Sequence, residues 1–157
     1  MTTWQDFERE APDLAPAVRA RFEAHRHHVL ATLRKGGAPR VSGTEVQFIG
    51  ADLTIGSMLD AVKARDLRRD GRFSLHSNPG DETMTGGDAK ISGTAVEILD
   101  EIELSAYVSD LPQPPPGPFH AFRLELTEAV LTTVEGDHLV IRSWRAGESE
   151  RRVNREP

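Results

Sequence analysis

The sequence predicts an α+β protein that is mainly β, an antiparallel barrel of about six to seven strands with short flanking helices. Segments in which apolar and polar residues alternate recur along the chain, as expected for half-buried strands. Most of them are separated by short turns rich in glycine and aspartate. The long crossover helices that would join parallel strands are missing, so hairpin connections and an antiparallel sheet are favoured.

Composition limits the classes of protein that this chain can represent. Its 157 residues are expected to form one domain, and 38% hydrophobic with 28% charged residues is typical of a globular chain. The apolar runs are too short to span a bilayer and no leader is expected. The absence of cysteine excludes disulfides and fits a cytoplasmic protein. The net charge of −6 argues against nucleic-acid binding.

Two short helices are expected at the N-terminus, within residues 1–24. Apolar side chains follow helical spacing there, and prolines divide the segment. The apolar positions are Phe7, Leu14, Val18 and Phe22, and the prolines are Pro12 and Pro16.

Three antiparallel strands follow, joined by two tight turns. Gly36 and Gly37 can supply the positive-φ positions of the first turn, and residues 50–52 form the second. The strands are predicted over residues 27–33, 39–48 and 53–57.

The second half of the chain continues the same pattern. Strand 119–134 is long enough that we expect a bend or bulge near Thr127 and Glu128. Residues 112–118 (PQPPPGP) can be neither helix nor central strand and are predicted to be a stiff connector. The other predicted elements are strands 72–77, 88–99 and 138–144, an exposed loop at 78–87, a short helix at 100–111 and a polar tail at 146–157.

The stretch from Leu53 to Ser77 is predicted to be a strand, a sharp turn, a short basic helix and a second strand. Asp60 is a good helix N-cap residue, and four cations follow it closely. Helix amides, helix dipole and positive charge would converge there, which suits a phosphate group. A solvated basic helix face explains the spacing equally well, so both interpretations remain open. The cations are Lys63, Arg65, Arg68 and Arg69.

Three segments together resemble the pyridoxamine 5′-phosphate oxidase-like flavin-binding split barrels. They are residues 27–48, 53–77 and 88–98, and the most specific part is the run from Lys63 to Arg72 (KARDLRRDGR). The resemblance is greatest to the actinobacterial branch that uses FMN or the 8-hydroxy-5-deazaflavin coenzyme. It implies an antiparallel split β-barrel, a homodimer with the cofactor in the groove between subunits, and a small-molecule substrate.

The resemblance also implies a phosphate site. Lys63 matches the family lysine that holds the cofactor phosphate, and Ser57 lies where relatives present hydroxyl or backbone groups to it. Ala61 stands about where some relatives place a second phosphate-binding arginine, and the turn before Lys63 is one residue shorter. Arg65 is the residue that could compensate.

Other positions are implied to contact the rest of the cofactor. Arg40, Val41 and Ser42 fall on the strand that lines the flavin or deazaflavin ring. Trp144 and Arg145 resemble a late tryptophan-arginine element that closes over the groove from the partner subunit, although a tryptophan of the dimer contact fits the pattern equally.

No metal site is expected at the HRHH sequence of residues 25–28. Adjacent histidines in a strand face opposite ways, and no carboxylate or cysteine follows at ligand spacing. No acid–base pair stands out either, so the catalytic residues stay unassigned and the chemistry is expected to belong to the cofactor.

The function expected from this resemblance is a flavin- or deazaflavin-dependent oxidoreductase that transfers hydride to or from a small organic substrate. Pyridoxamine phosphate oxidation itself is disfavoured, because the C-terminal substrate-binding segment of that enzyme is not recognised. A second hypothesis is a non-catalytic protein that stores or senses a flavin, haem or lipid-like ligand. A third is a structural dimer with an empty groove.

Overall fold

The computed structural model describes residues 2–157, which form four helices and nine strands. The helices are α1 (Trp4–Glu10), α2 (Leu14–Glu23), α3 (Val62–Arg69) and α4 (Glu101–Asp110). The strands are β1 (His28–Leu33), β2 (Pro39–Thr44), β3 (Gln47–Ile49), β4 (Asp52–Met58), β5 (Arg72–His76), β6 (Asp88–Glu97), β7 (Phe119–Glu135), β8 (His138–Arg145) and β9 (Arg151–Arg155).

All nine strands belong to one antiparallel sheet, which confirms the predicted fold class. The order is β2-β1-β5-β6-β7-β4-β3, with β8 on β7 and β9 on β8. The first part of the 17-residue β7 pairs with β4 and its last part pairs with β8, while β6 follows its other edge. Within residues 2–157, β2 and β3 do not pair, so the sheet curls without closing.

The bulge predicted in β7 is confirmed. Ser92 lies opposite Glu128 and Gly93 opposite Leu126, which leaves Thr127 as the extra residue. The Thr127 hydroxyl donates to the Ser92 carbonyl at 3.1 Å, and the Thr127 carbonyl accepts from the Ala146 N–H at 3.0 Å. The bulge therefore lies where β7 changes partner from β4 to β8.

The two predicted N-terminal helices pack against the sheet and complete the core. Trp4 and Phe7 meet edge to face with ring centroids 5.0 Å apart, and Phe7 lies 4.5 Å from the Trp144 ring. All three side chains are at most 2% exposed. Pro16 lies in the first turn of α2, where its missing N–H costs no helical hydrogen bond.

Two local predictions in the first half of the chain differ from the structure. Asp60 is not the N-cap of α3: it has φ 58°, its N–H donates to His120 Nε2 at 3.2 Å, and the cap residue is Ala61. The strand expected over residues 39–48 is two strands, because the chain breaks between Thr44 and Gln47.

The C-terminal segment also differs, because β9 lies within the predicted polar tail. It pairs with β8 although every one of its side chains is exposed. Because β9 is polar throughout, no alternation of apolar residues indicated a strand there. It is stabilised by backbone hydrogen bonds and by surface contacts such as that between Arg152 and Glu135 at 3.2 Å.

Within the described chain, no helix has the length and apolar character needed to cross a membrane.

Candidate functional site: a groove beside the start of helix α3

A groove of about 1500 Å³ opens beside the start of α3. Its walls come from four stretches that are distant in sequence, and two single side chains complete the lining. The stretches are residues 22–28, 43–48, 56–59 and 111–119, and the single side chains are those of Lys63 and Tyr107.

Lys63 places a positive charge in this groove. Its Nζ donates to the Gly43 carbonyl at 2.9 Å, which ties the first turn of α3 to the end of β2. Burial lowers the pKa of Lys63, and the nearby Glu45 charge opposes this only in part. The neutral Gly43 carbonyl does not balance the ammonium charge, so an anion bound here would be favoured.

The start of α3 adds to the positive potential. Ala61, the cap residue, offers no side-chain acceptor, so the first-turn N–H groups have no side-chain cap. The N–H groups of the first turn and the positive end of the helix dipole both stabilise an anion at this end of α3. Lys63 and the helix start together form a corner that suits a phosphate.

Asp66 attaches α3 to the sheet. Its side chain is 2% exposed and accepts from the Thr32 hydroxyl at 2.8 Å, Arg40 Nε at 2.8 Å and Arg69 Nη2 at 2.7 Å. Burial raises the pKa of Asp66, but the Arg40 and Thr32 hydrogen bonds and the two arginine charges outweigh it and lower the pKa overall. The carboxylate thus joins α3 to β1 and β2, and this ion pair holds Arg40.

Of the other two predicted phosphate-binding residues, Ser57 lies in the groove lining and Arg65 does not. The Ser57 side chain is buried, however, and its hydroxyl donates to the Met58 carbonyl at 3.2 Å. Arg65 is exposed and does not belong to the described lining. Residues two apart on a helix do not face each other, so Arg65 cannot share the position of Lys63 on α3.

The other predicted site residues lie outside the described groove lining of this chain. Val41 on β2 is 72% exposed, and Ser42 follows it on the same strand. Trp144 is 1% exposed and its indole N–H donates to Glu10 at 3.3 Å, so it belongs to the core. Arg145 is exposed and lies 3.6 Å from the Glu128 carboxylate.

Tyr107 and the proline-rich connector both form walls of the groove, which was not predicted from the sequence. Tyr107 is 5% exposed, and burial raises the pKa of its phenol, which keeps the group neutral. The connector at 112–118 lies alongside it, and its composition indicated stiffness but gave no sign of what it would contact.

The HRHH sequence also lies at the groove, in its wall. His28 is 3% exposed, its Nδ1 accepts the Asn78 N–H at 2.9 Å, and burial lowers its pKa. The neutral ring therefore carries its proton on Nε2, which is unsuited to ligating a metal. No cluster of three potential metal-ligating side chains occurs among residues 2–157.

Solved structures share this fold over most of their length. An FMN-binding, pyridoxamine 5′-phosphate oxidase-related protein from Nostoc punctiforme PCC 73102 is 14% identical, with a TM-score of 0.66 over 93% of this chain and 96% of that one. PhzG from Burkholderia lata 383, in complex with tetrahydrophenazine-1-carboxylic acid, is 20% identical, with a TM-score of 0.59 over 92% and 88%. The haem storage protein HutZ of Vibrio cholerae is 18% identical, with a TM-score of 0.55 over 85% and 95%.

At these identities the structural matches show a common fold and no more. No curated protein matches the chain significantly. A family model is more specific: the one described as pyridoxamine 5′-phosphate oxidase matches residues 14–155, which is nearly the whole chain. The resemblance seen in the sequence is thereby confirmed, and the chain belongs to the pyridoxamine 5′-phosphate oxidase family.

Proposed function

We propose that this protein binds FMN in the groove beside α3 and acts as an FMN-dependent oxidoreductase on a small organic substrate. The observation that carries the proposal is the Lys63 ammonium, partly desolvated at the uncapped start of α3 and facing a groove of about 1500 Å³. The FMN binding of the Nostoc punctiforme protein, which shares the fold, supports the choice of cofactor.

The groove suits the two ends of such a cofactor. Lys63 and the first-turn N–H groups of α3 would hold the phosphate through charge-assisted hydrogen bonds. Aromatic side chains, those of Phe22, Phe48, Tyr107 and Phe119, line the groove and offer surfaces for a planar ring. When bound, the flavin supplies the hydride chemistry, while the protein binds and orients it and excludes water.

We further propose that the protein works as a homodimer. Four large apolar side chains are exposed around the edge strand β2 and the turn that leads into α3: Val41 (72%), Met58 (81%), Leu59 (52%) and Val62 (49%). Met58 and Leu59 also line the groove. A second copy of the chain would remove this apolar surface from water and cover the groove at the same time.

Titration of the cofactor-free protein with FMN tests the proposal. Substitution Lys63→Ala removes a charge-assisted contact, so we expect the dissociation constant to rise by about 10- to 100-fold, equivalent to about 1.5–3 kcal/mol. The control Lys35→Ala removes an exposed lysine of the β1–β2 turn and should leave affinity unchanged. A protein that binds only the deazaflavin coenzyme, or no flavin at all, would contradict the FMN assignment.

A haem-binding store is the second candidate, and one observation favours it. His25 and His27 are exposed and line the same groove, so either could reach a ligand there. Absorbance spectra discriminate, because bound haem gives an intense Soret band that flavin lacks. Haem binding that survives Lys63→Ala and is lost in a His25→Ala, His27→Ala double variant would favour the store over the oxidoreductase.

A further inference from the structure

A second cavity, of about 470 Å³, lies between the end of α2 and the loop over residues 78–87. Arg21 and His25 form its helix side, and residues 78–81 with Met84 and Thr85 form its loop side. We call it the Arg21 cavity. Lys63 is not part of its lining, so this space is distinct from the phosphate corner at α3, although His25 lines both.

Arg21 is a half-buried cation without a protein partner. Within residues 2–157, none of its nitrogen atoms has a hydrogen-bond acceptor, no carboxylate lies within 4 Å, and Nε is shielded from solvent. Arg19 on the same helix, in contrast, pairs with Glu23. A shielded guanidinium donor left unsatisfied costs free energy, and the unpaired charge of the guanidinium favours an anion in the cavity beside it.

The polar side chains of Asp81 and Asn78 in the facing loop already have hydrogen-bond partners, in the loop itself and at His27. Asp81 Oδ1 accepts the Thr83 N–H at 2.9 Å and its hydroxyl at 2.5 Å. Asn78 donates to the His27 carbonyl at 3.0 Å and accepts the Gly80 N–H at 2.8 Å. The Asp81 carboxylate therefore lies in the cavity wall without pairing with Arg21, whose positive charge remains unbalanced.

The loop backbone holds the guanidinium in a defined position. Gly86 has φ 82°, and a Cβ added there would lie 2.5 Å from Arg21 Nη1 and 3.1 Å from Cζ. The main chain thus packs directly on the guanidinium, as only glycine allows at this position. A donor held in place before binding loses little conformational entropy when a ligand arrives.

We propose that the Arg21 cavity is a binding site for a small oxyanion, a phosphate or carboxylate group, with Arg21 as its main donor. The planar guanidinium presents its N–H groups in a fork that matches two oxygens of either group. This site is independent of the FMN site, so it stands or falls separately from the proposed oxidoreductase function.

NMR of the arginine side chains tests the site on the full chain. The Arg21 Nε–H, shielded from solvent, should give a slowly exchanging resonance, identified by its loss in Arg21→Gln. Titration with inorganic phosphate and, separately, with acetate should shift it saturably at an ionic strength held constant with sodium chloride. The anion that saturates at the lower concentration identifies the preferred group, and no saturable shift with either would overturn the site.

Binding measured by calorimetry locates the anion. We expect Arg21→Gln to weaken binding at least tenfold and Arg21→Lys, which keeps the charge, to weaken it less. Arg151→Gln, which removes an exposed arginine of β9, should change nothing. If phosphate binding instead disappears in Lys63→Ala and persists in Arg21→Gln, the anion occupies the α3 corner and the Arg21 site is overturned.

Discussion

At the scale of single residues, Asp66 is the buried charge that joins α3 to the sheet. It is 2% exposed and satisfied by Thr32, Arg40 and Arg69, so its charge is tolerated in the interior only because these donors surround it. Arg40 is consequently committed to a structural ion pair. Only its Nε is bonded to Asp66 and the side chain is partly exposed, so its predicted place beside the cofactor ring stays a prediction.

Replacing Asp66 by asparagine should destabilise the protein by about 1.5–3 kcal/mol, because two partly exposed arginines lose their charged hydrogen-bond partner. Since the native pKa of Asp66 is lowered, its stabilising effect is present above the unfolded-state pKa of about 3.9 and is lost as pH falls through the native pKa. Urea denaturation should therefore show the two proteins converging in strongly acidic buffer. The control Asp137→Asn, which removes an exposed carboxylate of the β7–β8 turn, should shift the midpoint only slightly.

The lowered pKa of Lys63 predicts that the affinity for the cofactor depends on pH. Burial lowers its pKa, so the ammonium loses its proton at lower pH than the ordinary value of 10.5. The affinity of the wild type for FMN should fall as pH rises through this lowered pKa, whereas Lys63→Arg stays charged. Fluorescence titrations should show the ratio of wild-type to variant affinity declining in alkaline buffer. A constant ratio would mean that Lys63 does not contact the phosphate.

At the scale of elements, the β6–β7 pair determines how the sheet bends. Thr127 is the extra residue of the bulge, and Gly93 lies opposite the neighbouring Leu126 with no room for a side chain. A Cβ at Gly93 would lie 1.8 Å from the Glu125 carbonyl oxygen. The glycine is therefore required by close approach of the two backbones.

Substitution Gly93→Ala should lower the free energy of unfolding by about 1–3 kcal/mol or more, because β6 and β7 must separate locally. Gly36→Ala is a matched control, since a Cβ at Gly36 meets no atom within 4 Å. Thermal or urea unfolding of both variants measures the difference. Equal stability of the two variants would show that the strands can adjust at no cost.

At the scale of the whole molecule, the edge strands β2 and β9 of the sheet differ in what they expose. The edge strand β2 exposes Val41, and Met58, Leu59 and Val62 are exposed at the start of α3, whereas the edge strand β9 exposes a single valine, Val153, among polar residues. The proposed dimer uses the β2 side, because burying those apolar side chains would contribute more free energy.

Sedimentation analysis should find a dimer that Val41→Glu weakens about tenfold or more, since the carboxylate would be buried in an apolar contact. Val153→Glu should leave it intact. Dissociation by the β9 substitution alone would place the interface at the other side of the sheet.

Much of the fold was predictable from sequence, because it depends on neighbouring residues. Alternating residues and turn glycines indicated seven strands, which account for eight of the nine because β2 and β3 were merged into one. The spacing of prolines divided the N-terminal helices, and the length of the last long strand indicated the bulge at Thr127. The missed strand, β9, lacks an apolar face and therefore any local signal.

The sequence by itself determined the antiparallel sheet, most of the elements along the chain and the family, and it singled out Lys63 as the phosphate ligand, which stays a prediction. Only the tertiary structure decided that Trp144 belongs to the core, that Arg40 pairs with Asp66, and that Arg21 lies half-buried without a partner. Periodicity and turn chemistry act between residues a few positions apart. Burial and charge pairing join residues such as Thr32 and Asp66, which are 34 positions apart, and only the folded chain brings them together.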